Sequence, residues 1–154
     1  MKEAVEAIRT LLVKGSLSNF HGQTFQIEQF DFWFEGDEYP IPIYLAGLFP
    51  RMLQVCGEVA DGVILTRSTL ETCAEVREQL ALGAGRTGRD ASEIEITSLL
   101  PCAVAQTKAQ ALDQIRPSTA TYAGFFPRYN RLLAESGFPE AAAAIKAAWD
   151  RGDR

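Results

Sequence analysis

Basic blocks, long apolar runs and histidine are what this sequence is shortest of. It holds one histidine and a formal net charge of -5, and its lysines and arginines never gather into a patch. That excludes the phosphate-neutralising surface of a nucleic-acid binder. The longest apolar stretch, around Pro40 to Pro50, is about half the ~20 residues a membrane-spanning helix needs, which excludes a membrane span. Cys56, Cys73 and Cys102 are odd in number, widely spaced and without metal-type pairing. They read as reduced, mostly buried thiols of a cytoplasmic protein. No nucleophile–base arrangement and no metal site stands out. Met1-Lys2-Glu3 opens directly into a helical pattern, so no secretory leader is expected.

What is there is the material of one domain: 154 residues, 47% of them apolar. Pro42 to Leu65 carries the strongest pattern. Ile43-Tyr44-Leu45-Ala46 is a short apolar run, Gly47 breaks it, and Pro50 stands where a first helical residue needs no N–H donor. Leu53, Cys56 and Ala60 then recur at helical spacing. Ala60-Asp61-Gly62 closes that helix, and Val63-Ile64-Leu65-Thr66 is a second strand. Two strands joined by a helical crossover make a parallel βαβ unit, whose ligand side lies beyond the carboxyl ends of the strands.

Upstream, Val5, Ile8, Leu11 and Leu12 form one face of a helix that Gly15 stops. Residues 16–39 read as an excursion from the βα rhythm. Phe20 to Ile27 resembles a tight hairpin in which Gly22 takes a positive φ. Phe30, Phe32 and Phe34 alternate as in a further extended segment, and Gly36-Asp37-Glu38 is loop. Downstream, Ser68-Thr69-Leu70-Glu71 fits a capping box opening a helix that runs toward Gly83 and Gly85. Ile94, Ile96 and Ser98 lead a third strand, with its end or a bulge expected near Pro101. Thr107 to Gln110 is another capping box, and its helix is expected to stop at Pro117. Further helical pieces cover about Arg128 to Glu135 and Glu140 to Arg151. Three parallel-type strands are few for a closed architecture.

Several of these segments together resemble a known family. Pro42-Ile43-Tyr44-Leu45-Ala46, the Pro50-Arg51-Met52-Leu53 helix start and Gly57-Glu58-Val59-Ala60-Asp61-Gly62-Val63-Ile64-Leu65 look like the luciferase-like flavin-dependent oxidoreductases, including deazaflavin-dependent members such as methylene-tetrahydromethanopterin reductase. Gly88-Arg89-Asp90, Tyr129-x-x-Leu132-Leu133 with Gly137-Phe138, and Ala148-Trp149-x-x-Gly152-Asp153 agree with the same family. The resemblance covers nearly the whole chain. It implies an α/β fold, a partial (β/α)8 TIM barrel, with residues 1–154 as the C-terminal portion of a single domain supplying about strands five to seven. The first four strands are absent, so the expectation is a fragment of a longer product, or a chain that assembles with another. The implied function is a flavin- or deazaflavin-dependent oxidoreductase or monooxygenase, with FMN or a deazaflavin coenzyme, a small organic substrate, and a homodimer of the full-length protein. The alternative is a non-catalytic remnant acting as an assembly module; a phosphate-binding barrel of another family is a third reading.

The loops after the strands hold the candidate site. Ala46, Gly47 and Leu48 follow the first parallel strand, and a glycine there lets backbone N–H groups approach a flat ring or a phosphate. Thr66, Arg67 and Ser68 follow the second strand and lead into a helix start, an arrangement suited to an anion. The resemblance implies the cofactor ring at the first trio and its ribityl phosphate at the second. The bland readings are a turn glycine, a helix-capping Ser68 and a solvated Arg67. Asp61-Gly62 precedes its strand and reads as structural, and His21 reads as solvated. Tyr122, Phe125, Phe126 and Tyr129 read as packing, and Glu93 with Glu95 as a solvated face. Catalytic residues are expected in the missing half.

Overall fold

The computed structural model describes residues 1–34 and 41–153, and the expected loop at Gly36-Asp37-Glu38 lies outside the described residues. The chain divides into two compact units, one of Met1–Leu65 with Glu75–Thr97, the other of Thr66–Ala74 with Ser98–Arg154. None of the described helices is long and apolar enough to cross a membrane.

The first unit opens with α1 (Lys2–Lys14), which buries Val5 and Ala7 and ends at Gly15 in the left-handed region, φ 70°. The strands β1 (Ser16–His21) and β2 (Gln26–Asp31) form the expected antiparallel hairpin, with Leu17 opposite Phe30 and Phe20 opposite Ile27. Gly22 does not take a positive φ there. It is small for another reason: a Cβ would sit 2.5 Å from Glu3 Oε2, whose carboxylate accepts the Gln23 and Thr24 N–H groups at 2.8 and 3.0 Å. The extended segment expected through Phe34 ends at Asp31, and Trp33 and Phe34 lie in a bend with their rings largely exposed.

β3 (Tyr44–Ala46), α2 (Pro50–Val59) and β4 (Gly62–Thr66) form the βαβ unit, with Tyr44 opposite Gly62 and Ala46 opposite Ile64 in parallel register. Pro50 stands in the first helical turn, as its missing N–H requires. β5 (Glu95–Leu99) completes the sheet in the order β3-β4-β5 and stops before Pro101. Helix α3 (Cys73–Thr87) runs through Gly83 and Gly85 rather than stopping at them. Gly83 lies against α2, where a Cβ would meet Gln54 O at 2.0 Å; Gly57 of α2 faces Leu80 O at 2.2 Å in the same sense. The two helices thus meet backbone to backbone, over a core that includes Leu53, Cys56, Val63 and Leu80. Burial pushes the Cys56 thiol up to about 11. The expectation of mostly buried cysteines fails for the others, since Cys73 is half-buried and Cys102 exposed.

The second unit contains α4 (Lys108–Phe125), α5 (Pro127–Glu135) and α6 (Pro139–Asp150). The Thr107 capping box forms with both reciprocal bonds, Gln110 N–H to Thr107 Oγ1 at 3.3 Å and Thr107 N–H to Gln110 Oε1 at 3.2 Å. Pro117 does not stop α4, which continues eight residues beyond it. A proline inside a helix costs about 3 kcal/mol, and tertiary packing of the later turns offsets it. Gly124 lies under the Trp149 ring of α6, where a Cβ would be 2.7 Å away. Asn130 of α5 donates from Nδ2 to Ala123 O of α4 at 2.8 Å and to Ala142 O of α6 at 2.7 Å, tying three helices with one amide.

Candidate functional site

The carboxyl ends of β3 and β4 carry the six residues that the sequence singles out. After β3, Ala46 is exposed, Leu48 half-buried and Gly47 buried. Gly47 faces the core: a Cβ would stand 3.2 Å from Cys56 Sγ and 3.3 Å from Leu53 and Val63. Its N–H donates to Ile64 O at 3.3 Å. The glycine therefore lets the strand end settle on α2, and the surface offered at this corner comes from Ala46 and Leu48.

After β4 the backbone turns sharply. Arg67 lies in the left-handed region at φ 57°, a conformation that costs a non-glycine residue about 1–3 kcal/mol. Three contacts hold it there. Its N–H donates to Leu99 O at 3.1 Å, its Nη2 donates to Ser118 Oγ at 2.6 Å, and its guanidinium carbon stands 4.1 Å from the centre of the Tyr122 ring. A cation over a tyrosine face is worth about 0.5–1 kcal/mol at a partly exposed site. Arg67 is thus not a freely solvated side chain but one fixed by residues thirty to fifty-five positions away.

The capping box expected at Ser68 does not form, and α3 opens only at Cys73. Ser68 Oγ shares a hydrogen bond with Ser98 Oγ at 2.7 Å instead. Thr72 does the local work: its Oγ1 accepts the Thr69 N–H at 3.3 Å and donates to Thr69 O at 2.9 Å. The box would have used the N–H groups of Ser68 and Glu71, and the Glu71 N–H is turned to its own carboxylate instead. Glu71 is exposed, and its own backbone N–H, more than the Thr69 hydroxyl, holds its carboxyl below the usual range. Thr69 Oγ1 is shielded from solvent and lies toward the Glu71 carboxyl, its contact with it short of a full hydrogen bond.

Within this second unit a cavity of ≈ 90 Å³ opens beside Arg67 and Thr69, closed on its other sides by α4 and α5 through Tyr122, Ala123, Tyr129, Leu132 and Leu133. Tyr122 and Tyr129 meet edge to face at 4.8 Å, so the cluster expected to be packing does pack, and it also walls a space. Ser136 closes the cavity too, with its hydroxyl donating to Leu132 O at 2.7 Å. Sequence reasoning found Arg67 but missed Ser98, Ser118 and Thr69. Ser118 follows a proline taken for a helix stop, and Thr69 was absorbed into a capping motif. Only the aromatic periodicity of Tyr122 and Tyr129 gave a signal for the cavity wall.

The remaining candidates fall at the opposite ends of the strands or in solvent. Asp61 accepts from Arg9 Nη2 at 3.0 Å on both oxygens and from the Ile43 N–H at 2.7 Å. Its own N–H and carbonyl pair with Ile43 O at 2.9 Å and with the Glu95 N–H at 3.0 Å, so it gathers the starts of β3, β4 and β5. Glu58, 6% exposed, is neutralised by Arg86 at 3.0 Å and by Lys2. These are scaffold contacts. His21, Glu93 and Glu95 are exposed.

Comparison with known proteins bears on the whole length. The family model described as luciferase-like monooxygenase matches residues 1–154. A 5,10-methylenetetrahydromethanopterin reductase of Methanolobus tindarius is 28% identical over 159 residues, covering 99% of this chain and 45% of the relative. Among solved structures, the coenzyme F420-dependent tetrahydromethanopterin reductase of Methanopyrus kandleri superposes with a TM-score of 0.79 at 23% identity, over 98% of this chain and 43% of that one. An F420-dependent secondary alcohol dehydrogenase, solved with an F420-acetone adduct, gives a TM-score of 0.68 at 22% identity, over 77% of this chain and 36% of its own. Identities at that level establish a shared fold. The chain spans about half the length of the curated relatives it matches.

Proposed function

The chain belongs to the luciferase-like monooxygenase family, and from that premise we propose that it is part of an oxidoreductase using a deazaflavin coenzyme of the F420 kind. The relatives named above support the deazaflavin over FMN, since their names specify F420 or a reaction of the same reductase. On this reading the three parallel strands are about the fifth to seventh of an eight-stranded barrel, and the activity of the whole belongs to a longer assembly. When bound, such a coenzyme supplies hydride transfer to or from a small organic substrate. This chain's residues bind and orient it.

The observation that carries the proposal is the Arg67 corner. A cation pinned at a strained position, at the carboxyl end of a parallel strand, is where a barrel places ligand-binding groups. The residues fit an anionic tail: Arg67 has donors beyond the one given to Ser118, and the Ser68–Ser98 hydroxyl pair can turn a further proton outward. Thr66 stands half-buried at the same strand end. In the first unit, Ala46 and Leu48 offer apolar contact to a ring edge, with Gly47 holding the strand end down on α2. A free helix N-terminus contributes nothing at Ser68, because α3 begins five residues later.

Fluorescence titration of the 154-residue chain with F420, using FMN as competitor, tests this. Saturable F420 binding is expected, displaced poorly by FMN and weakened about tenfold or more by Arg67→Gln, the loss of one charge-assisted hydrogen bond. Preference for FMN would remove the deazaflavin assignment. Unchanged affinity in Arg67→Gln would remove the corner from the site.

A further inference from the structure

We infer that the outer edge of β2, with the aromatic residues that follow it, docks an extended arginine- or lysine-bearing segment of another polypeptide as a third strand. The inference rests on the first unit alone and is independent of the coenzyme the family reading assigns. The edge comes first. Among the described residues β2 has one strand neighbour, β1, and five of its six residues are exposed. An open edge presents unpaired N–H and C=O groups, and two strands alone make a marginal sheet. Lysine and proline are the usual protection of such an edge, and β2 carries neither. An extended segment laid along it gains main-chain hydrogen bonds.

Side-chain chemistry selects the partner. Phe32 stacks on Phe34 with ring centres 4.7 Å apart, and Phe30 and Trp33 meet these two edge to face at 6.1 and 5.4 Å. Trp33 is 93% exposed, and Phe30 and Phe34 are about half exposed, so the rings pack on one another rather than into a core. Exposed aromatics gathered in this way mark an interaction surface. Charge decides what it takes. From Gly15 to Pro50 the sequence has five acids and no lysine or arginine. Two of those acids, Glu28 and Asp31, stand exposed on β2. Asp31 accepts the Gln29 amide at 2.7 Å, and among the described residues neither carboxylate has an ion pair. Glu3 brings a third carboxylate to the hairpin turn. A guanidinium meets both demands, pairing with a carboxylate and stacking on a ring. Nucleic-acid phosphates and anionic lipid are repelled, and a second copy of the hairpin would set carboxylates against carboxylates.

The test is an NMR titration of the 154-residue chain with a blocked octapeptide alternating arginine and valine, following the β2 amides and the Trp33 indole N–H. Saturable shifts are expected, with binding about tenfold weaker when glutamine replaces every arginine, and weaker again as salt rises. Trp33→Ser should weaken the arginine peptide about two- to fivefold, and Glu28→Gln with Asp31→Asn about as much. All three side chains are exposed, so the urea midpoint should hold in each variant. Equal affinity for the glutamine peptide, or unchanged affinity in both variants, overturns the side-chain assignment. The arginine peptide methylated on every backbone nitrogen cannot join a ladder, so its equal binding overturns the added strand. Shifts at β2 that appear on concentrating the chain alone place a second copy there and overturn the choice of partner. Absence of any shift at β2 overturns the surface itself. Failure to bind F420 changes none of these outcomes, so the two proposals fail separately.

Discussion

Gly83 and Gly85 sit two residues apart in α3, and alanine at these positions should move stability in opposite directions. Helix propensity alone favours alanine over glycine by about 1 kcal/mol at either site. At Gly85 a Cβ meets nothing within 4 Å, so Gly85→Ala should realise most of that gain, about 0.5–1 kcal/mol. At Gly83 the same methyl would lie 2.0 Å from Gln54 O and 2.8 Å from Gln54 C, both backbone atoms of α2 that no rotamer can move. Contacts below 3.0 Å are not tolerated, so the helices must part by about an ångström or more. That opens the contact above Leu53, Cys56 and Leu80, and overpacking of this kind costs about 1–3 kcal/mol. Some of the propensity gain is returned, leaving Gly83→Ala destabilised by about 1–2 kcal/mol. Urea denaturation of the two variants beside the parent, fitted with a common slope, reads both signs. A stabilised Gly83→Ala would refute the close crossing of α2 and α3 and the packing argument with it.

Pro117→Ala should stabilise the second unit by up to about 3 kcal/mol, since α4 already runs through the proline and regains one donor; a higher midpoint in thermal unfolding by circular dichroism checks it. Asn130→Ala should cost about 1–3 kcal/mol, because it strands the Ala123 carbonyl, which faces Pro127 instead of a helical donor, and removes the tie to Ala142; chemical denaturation reads the loss. Alkylation followed by mass spectrometry should label Cys102 first, Cys73 next and Cys56 only on unfolding. The Cys56 thiol also carries a pH signature. Its folded value is raised to about 11 from an ordinary 9, so its contribution to stability is intact below pH 9 and is lost as pH climbs toward 11.

Local chemistry was legible in the sequence wherever the partner stood within a few residues. Pro50 at a helix start, Gly15 at a helix stop and the Thr107–Gln110 box all formed because each is satisfied by its own turn. The misses share one cause, a distant partner that outcompetes the local motif. Ser68 had the spacing of a cap but found Ser98, thirty residues on. Pro117 had the chemistry of a stop, yet Asn130 and Trp149 hold the following turns of α4 in place. Gly22 and Gly47 were read for backbone freedom and proved to be glycines of close approach, to Glu3 and to Cys56. The site was half legible for the same reason. Position after a strand marked Arg67, while the contacts that make it a fixed cation come from Leu99, Ser118 and Tyr122.

The Asp61 clasp carries a kinetic meaning as well. One carboxylate closes a loop of 18 residues back to Ile43 and one of 52 back to Arg9. Each doubling of loop length adds about 0.6 kcal/mol of closure entropy, so the strand pairing across Asp61 is cheaper to form than the docking of α1. Within this stretch α1 is therefore the helix that waits for its last partner. Until Asp61 has been made and its strands have paired, α1 can pack on the β1 hairpin but not on α2, and in that interval part of its surface is open to wrong partners.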